Sequence, residues 1–255
     1  MRRVLLVATA LAARLLILVR RSPAVFVPSL VIPLFILIST AGAFHGVGSL
    51  PALNGASYLA FTVPMAATLG AGFAGTTAGM SMARDLEGGF FARLQASPAP
   101  RPSLVVAPVM ASMLRSLLTT TIVLAAGLIG GIGLPTAGGA GILYLMPILF
   151  AACAALWAAG VALRTRTIQA APIMQIAVFL AVFLSVAYTP REAQTGWLAT
   201  VADYNPMTYV LEAARDAFLN GVSWSELWPG LLAAAGMIAV LAVWAATGLR
   251  KLERT

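Results

Sequence analysis

Charge is the first thing this chain has little of. Only 9% of its 255 residues are Asp, Glu, Lys or Arg, against about 25% in a soluble domain. That excludes an ordinary soluble globule, a disordered tail and a charge-laced coiled coil. Cysteine occurs once, at Cys153, so there is no intrachain disulfide and no multi-cysteine metal site. Histidine also occurs once, at His45, and a zinc-peptidase helix needs two at i, i+4. The lone lysine is Lys251, near the end. A phosphate-binding loop of the G-x-x-x-x-G-K-[ST] kind is therefore missing, and the chain cannot hydrolyse ATP in the P-loop way. The eight carboxylates all lie outside the long apolar runs. Membrane enzymes and proton-driven pumps place such groups inside them.

What the chain does have is apolar length. Hydrophobic residues make up 60%, and mean hydropathy is +0.94. Long uncharged runs exclude a β-barrel, whose strands alternate. The fold class is an all-α polytopic membrane protein in one domain, 1–255. Residues 22–83 and 116–163 carry no charge over 62 and 48 positions, and 167–190 and 227–249 over 24 and 23. A spanning helix needs about 20 apolar residues, so the first two runs each hold two spans and the others one. Glycine clusters at 42–57 and 130–141 supply the turns. The six expected spans are 24–42, 57–82, 104–130, 141–163, 168–189 and 228–249.

Thirteen of the 16 Lys and Arg residues fall on one side if both termini are cytoplasmic, the arrangement of the positive-inside rule. The high pI follows from this bias; dispersed cations at membrane borders do not suit nucleic acid. At 100° per residue, Arg2, Arg3, Arg14, Arg20 and Arg21 share an arc of about 120°. Leucines and valines fill most of the opposite side, with Leu6 and Ile17 as exceptions. Residues 2–21 therefore read as an amphipathic helix lying in the cytoplasmic interface among membrane lipids. Arg14 and Arg20–Arg21 break the pattern of a signal peptide.

Two connections carry more than their length requires. On the cytoplasmic side, 84–97 begins with Arg84, Asp85 and Glu87, continues through Phe90, Phe91 and Arg93, and ends in Ser97-Pro98. A short helix with charged ends and an aromatic middle suits docking into a partner's groove. On the outer side, 193–219 reads as a re-entrant helix pair. Asn205 is an N-cap with Pro206 at the first helical position. Glu212, Arg215 and Asp216 sit at i, i+3 and i+4 on one face, opposite a largely apolar one. About 14 residues give roughly 21 Å, too short to span. Arg115 is the one ionisable group well inside a predicted helix; snorkelling toward lipid phosphate leads its readings, ahead of pairing within the bundle and a substrate contact. Gly75–Gly79 and Gly127–Gly131 fit close helix packing.

These residues resemble the membrane (permease) subunit of type-2 ABC exporters, particularly the daunorubicin-resistance kind. One segment of resemblance is Arg84-Asp85-Leu86-Glu87-Gly88-Gly89-Phe90-Phe91-Ala92-Arg93-Leu94, followed by Ser97-Pro98; the other is Asn205-Pro206-Met207-Thr208-Tyr209. The resemblance covers essentially the whole chain. It implies a homodimer bound to two copies of a separate ABC ATPase, which holds the ATP and Mg. It implies a coupling helix at 84–97, with Arg84, Asp85, Glu87, Phe90, Phe91 and Arg93 at the ATPase, beside the interfacial helix of Arg3, Arg14, Arg20 and Arg21. The outer helices with Asn205, Pro206, Tyr209, Glu212, Arg215 and Asp216 would gate export of a drug, polyketide, lipid or glycan from a bacterial inner membrane, as in multidrug efflux and antibiotic resistance. Two other classes remain open. An ion-coupled secondary carrier needs coupling groups at mid-membrane. A non-transporting scaffold would bind a partner at 84–94 without substrate flux.

Overall fold

In the computed structural model of the chain, residues 2–21, 23–44, 57–89 and 100–253 are described. Among them there are nine α-helices and no strand. They are α1 (Arg2–Arg21), α2 (Pro23–Ala43), α3 (Tyr58–Glu87), α4 (Ser103–Ile129), α5 (Ala137–Thr165), α6 (Ala171–Phe183), α7 (Trp197–Tyr204), α8 (Pro206–Leu219) and α9 (Trp224–Glu253). Four of them, α3, α4, α5 and α9, are long and apolar enough to cross a membrane. The apolar helical stretches Leu30–Ala43 and Ile168–Phe183 are shorter.

α3 is the axis of the bundle, and its middle is almost wholly buried. The sequence explains why it can be surrounded. Small residues keep it thin, and α5 presents small residues in return. A methyl group added at Gly75 would stand 2.6 Å from the Ala154 Cβ and 2.7 Å from the Ala151 carbonyl, and one at Gly79 would strike Ala158. In a membrane, helices associate through such close packing because lipid removes most of the hydrophobic drive. Gly127 is likewise packed, against Ile132 and Val63, whereas Gly131 lies in the following turn at φ 91°. α4 and α9 flank this pair and turn Leu114, Leu118, Leu232, Val240 and Val243 outward. Exposed leucines and valines on such helices are the surface that lipid tails cover.

The largest departures from the expected spans are at the ends of α3 and α6. α3 runs on to Glu87, because nothing in Met82–Glu87 breaks a helix and Gly88 stops it. The run 168–189 does not form one helix. A short 3-10 turn, Ile168–Ala170, leads into α6, which ends at Phe183, and Leu184–Thr189 is irregular. At 1.5 Å per residue, α6 covers about 20 Å of a core about 30 Å thick. His45, the turn glycines at 46, 48 and 55, and residues 90–99 lie outside the described residues.

Candidate functional site

The side chains that cross-link helices gather at the two ends of α3. At the Tyr58 end, the carbonyls freed by the unwinding of α6 need donors. Asn205 supplies two bonds through Nδ2, to the carbonyls of Ala181 (2.8 Å) and Leu184 (2.9 Å). Its Oδ1 accepts from Met207 N–H at 2.9 Å and so caps α8. Pro206 occupies the first helical position, where no N–H is needed. Thr208 Oγ1 donates to the Ala202 carbonyl (2.7 Å) and Tyr209 Oη to that of Asp203 (3.1 Å), which ties α7 to α8. The Asn205–Tyr209 segment is therefore the corner brace between α6, α7 and α8.

Arg215 corrects the expectation of one exposed charged face. It is buried, at 5% exposure, while Glu212 and Asp216 are only partly covered. Arg215 Nη2 donates to the carbonyls of Val186 (2.7 Å) and Ala187 (3.2 Å), and Nε to that of Phe61 (3.3 Å). Its guanidinium carbon stands 3.6 Å from the centroid of the Phe61 ring, within cation–π range. The Tyr58 hydroxyl donates to the Tyr188 carbonyl at 2.8 Å. One cation and one phenol thus hold an unwound stretch against α3. Burial pushes the Arg215 guanidinium down to about 10, which leaves it charged near neutrality. Outside it, Arg191 pairs with Glu212 through two bonds of 3.0 and 3.1 Å and reaches Asp203 at 3.5 Å. Arg191, Tyr58 and Phe61 were not singled out from the sequence as site residues, because each partner is far along the chain. Trp197, Tyr204 and Trp224 are exposed at this end, as in the aromatic belt at a membrane border.

At the Glu87 end the links are ionic and more open. Arg14 of α1 makes a bidentate pair with Asp85, Nη1–Oδ2 and Nη2–Oδ1 both at 3.0 Å. Glu87 Oε1 accepts from Thr167 Oγ1 (2.6 Å) and Ile168 N–H (2.9 Å), so it caps the turn that starts α6. Arg84 is exposed. Arg164 donates to the carbonyls of Gly160 (2.8 Å) and Trp244 (2.9 Å) and lies 3.4 Å over the Trp244 ring. Arg84, Asp85 and Glu87 form the last turn of α3, with Asp85 and Glu87 engaged within the chain. Phe90, Phe91 and Arg93 lie outside the described residues, as do the side chains of Arg3, Arg20 and Arg21. Of the residues expected to face an ATPase or a lipid surface, the structure thus brings together Arg14 and Asp85. On α1 the side opposite the arginines meets protein: Ala12 and Leu15 pack on Ala111 of α4, while Leu6 and Ile17 are exposed.

Arg115 does not snorkel. It is 1% exposed; Nε donates to the Ala111 carbonyl at 3.3 Å, and Nη1 and Nη2 have no partner among the described residues. Side chains on a helix lean toward its N-terminus, and in that direction α1 covers the path.

An apolar helical bundle braced at both ends, with four helices long enough to cross a membrane, is the architecture of a multi-pass membrane protein. The ABC-2 type transporter family model matches residues 7–219, and the chain belongs to that family. It is 27% identical over 191 residues to the probable doxorubicin resistance ABC transporter permease protein DrrC of two Mycobacterium tuberculosis strains, CDC 1551 / Oshkosh and ATCC 25618 / H37Rv. The match covers 74% of this chain and 69% of the relative. The chain is accordingly a multi-pass ABC transporter permease.

Proposed function

We propose that this permease is the membrane half of an ATP-driven exporter. It pairs with a second copy of itself and with two copies of a separate ATPase that binds ATP and Mg. It spans a bacterial inner membrane six times with both termini in the cytoplasm. Its cargo is hydrophobic or amphipathic, the class to which the doxorubicin in its relative's name belongs. The observation that carries this reading is the family match over 7–219. Two features support it. The start of the 84–97 segment, Arg84–Glu87, is the last turn of α3, the most buried helix, so a push there is delivered to the core of the bundle. The Arg14–Asp85 pair joins that same turn to the interfacial helix, which gives two levers a common fulcrum. The corner at Asn205–Tyr209 shapes the opposite exit.

The test is gentle purification of the tagged chain from its own membrane. A nucleotide-binding subunit should co-elute in a one-to-one ratio and be lost from Phe91→Asp, a variant that should still insert. Vesicles holding the pair should accumulate a fluorescent anthracycline only with ATP. Elution without an ATPase, or uptake that follows a proton or sodium gradient instead, would overturn the reading in favour of a scaffold or an ion-coupled carrier.

A further inference from the structure

The orphaned guanidinium of Arg115 sits in the middle of α4. It is about 18 Å along the axis from Ser103 and about 21 Å from Ile129. Arginine keeps its proton in proteins, and a buried cation with its terminal nitrogens unpaired is strongly unfavourable unless an acceptor reaches it. The carboxylates among the described side chains do not serve. Asp85 is held by Arg14 and Glu87 by Thr167 and Ile168. Glu192, Asp203, Glu212, Asp216 and Glu226 belong to the far end of the bundle or the segments beyond α6. A second copy of the chain docking on the surface would not reach a side chain that is 1% exposed.

The surroundings of Arg115 along α4 are polar. Ser112, Ser116, Thr119 and Thr120 are fully buried on the same helix, and Thr120 Oγ1 is also without a partner. Along α4 toward Ser103, on the side to which Arg115 leans, lies a crevice of about 40 Å³ between α1, α3 and α4. Its lining includes Leu11, Leu15, Ala107 and Pro108, and Arg14 and Asp85 stand there too. Pro108 lies seven residues before Arg115, two turns down nearly the same face. The crevice has room for water but not for a head group. Its roof is α1, which rests on the bundle through Ala8, Ala12 and Leu15 and through the half-exposed Arg14–Asp85 pair.

We infer that Arg115 is the anion anchor of a binding site for an amphipathic molecule carrying a phosphate or carboxylate head, reached through the α1–α3–α4 crevice when α1 lifts. The head group satisfies Nη1 and Nη2, the unpartnered Thr120 hydroxyl offers a further donor, and the tail lies among apolar helix faces. This deepens the export reading by giving the charge class of the molecule bound. It is measured on the permease chain without ATPase, so its failure and the failure of ATP-driven transport are separate results.

The experiment is equilibrium binding to the full chain in a neutral detergent, with decyl phosphate and decanol as probes. Decyl phosphate should bind at least about tenfold tighter, the worth of a charge-assisted hydrogen-bonded pair. Arg115→Gln should erase the preference, and Arg115→Lys should keep part of it. Native mass spectrometry with phosphatidylglycerol and phosphatidylcholine separates the sources. Retention of phosphatidylglycerol through Arg115 identifies a membrane lipid; preference for decyl phosphate alone identifies a diffusible amphiphile. Equal affinity for the two decyl probes in the unaltered chain, or an unchanged preference in Arg115→Gln, overturns the proposal. If Arg115→Gln does not accumulate as a folded chain, Leu11→Trp fills the crevice instead. It should lower affinity for decyl phosphate at least tenfold, and no change there also overturns it.

Discussion

The two ends of α3 are braced by different physics. At the Tyr58 end a buried cation, an amide and a phenol donate to carbonyls left over where α6 unwinds. The Arg215 bonds are buried, so breaking them leaves carbonyls unpaired away from water, while those of Asn205 and Tyr58 are part-buried. At the Glu87 end the Arg14–Asp85 pair is 38% and 25% exposed at its two side chains, and Glu87 caps a turn at the surface. Those groups can exchange their partners for water. One end is therefore built to stay and the other can let go at small cost. A machine driven from one end needs that asymmetry, because a push on a loose frame is not transmitted.

Removing the buried cation should give the largest effect. Arg215→Met strips donors from Phe61, Val186 and Ala187 and should destabilise the chain by about 3–5 kcal/mol. A thermal melt of the detergent-purified protein reads this directly. A shift no larger than that of a surface variant would break the comparison at its firm end. Asn205→Ala comes next, at about 2–3 kcal/mol, the sum of a lost cap and two lost carbonyl bonds. Asn205→Asp sharpens the point. It keeps the cap but turns an acceptor on the Ala181 and Leu184 carbonyls, so it should not rescue the Ala variant.

Legibility in the sequence divides along the same line. Apolar runs, glycine turns and the Asn205–Pro206 cap are local signals, and α4, α5, α8 and α9 follow them closely. The end of α6 had no local signal. Leu184–Tyr188 is free of glycine, proline and charge, and the helix stops there while Asn205 and Arg215, 21 or more residues away, take its carbonyls. The same distance hid the inward turn of Arg215, because its i, i+3, i+4 spacing with Glu212 and Asp216 describes a charged face whatever packs on it. Arg115 misled for a related reason. Its helix position permits snorkelling, and only the covering of that direction by α1 forbids it.

At the loose end, stability and function should part company. Arg14→Glu or Asp85→Arg alone should cost only about 0.5–1 kcal/mol, as expected for a partly exposed pair, and that small cost should shrink further in high salt. ATP-dependent transport, by contrast, should fall severalfold, with the double variant Arg14→Asp, Asp85→Arg recovering most of it. A double variant that stays inactive while folding normally would show that the pair does not link α1 to α3 in the cycle.

The smallest effect concerns pH, and it tests whether the firm end is also electrostatically strained. Burial raises the Glu212 carboxyl above its ordinary range, and Asp216 adds to this; Arg191 and Arg215 pull the other way. Burial likewise raises Asp216, helped by Glu226 and Glu192 and opposed by Arg215. A carboxyl whose folded pKa lies above its unfolded one binds more protons folded than unfolded between the two values. Stability then falls as pH climbs through that window and levels off above it. The chain should melt at a slightly higher temperature just below the usual carboxylate range than just above it. Asp216→Asn should flatten that slope. Glu212→Gln should flatten it less, since it also removes the partner of Arg191. The Arg14–Asp85 end should be indifferent to both variants. A slope of the opposite sign that vanished in Arg14→Gln would instead place the pH-sensitive brace at the end assigned here to movement.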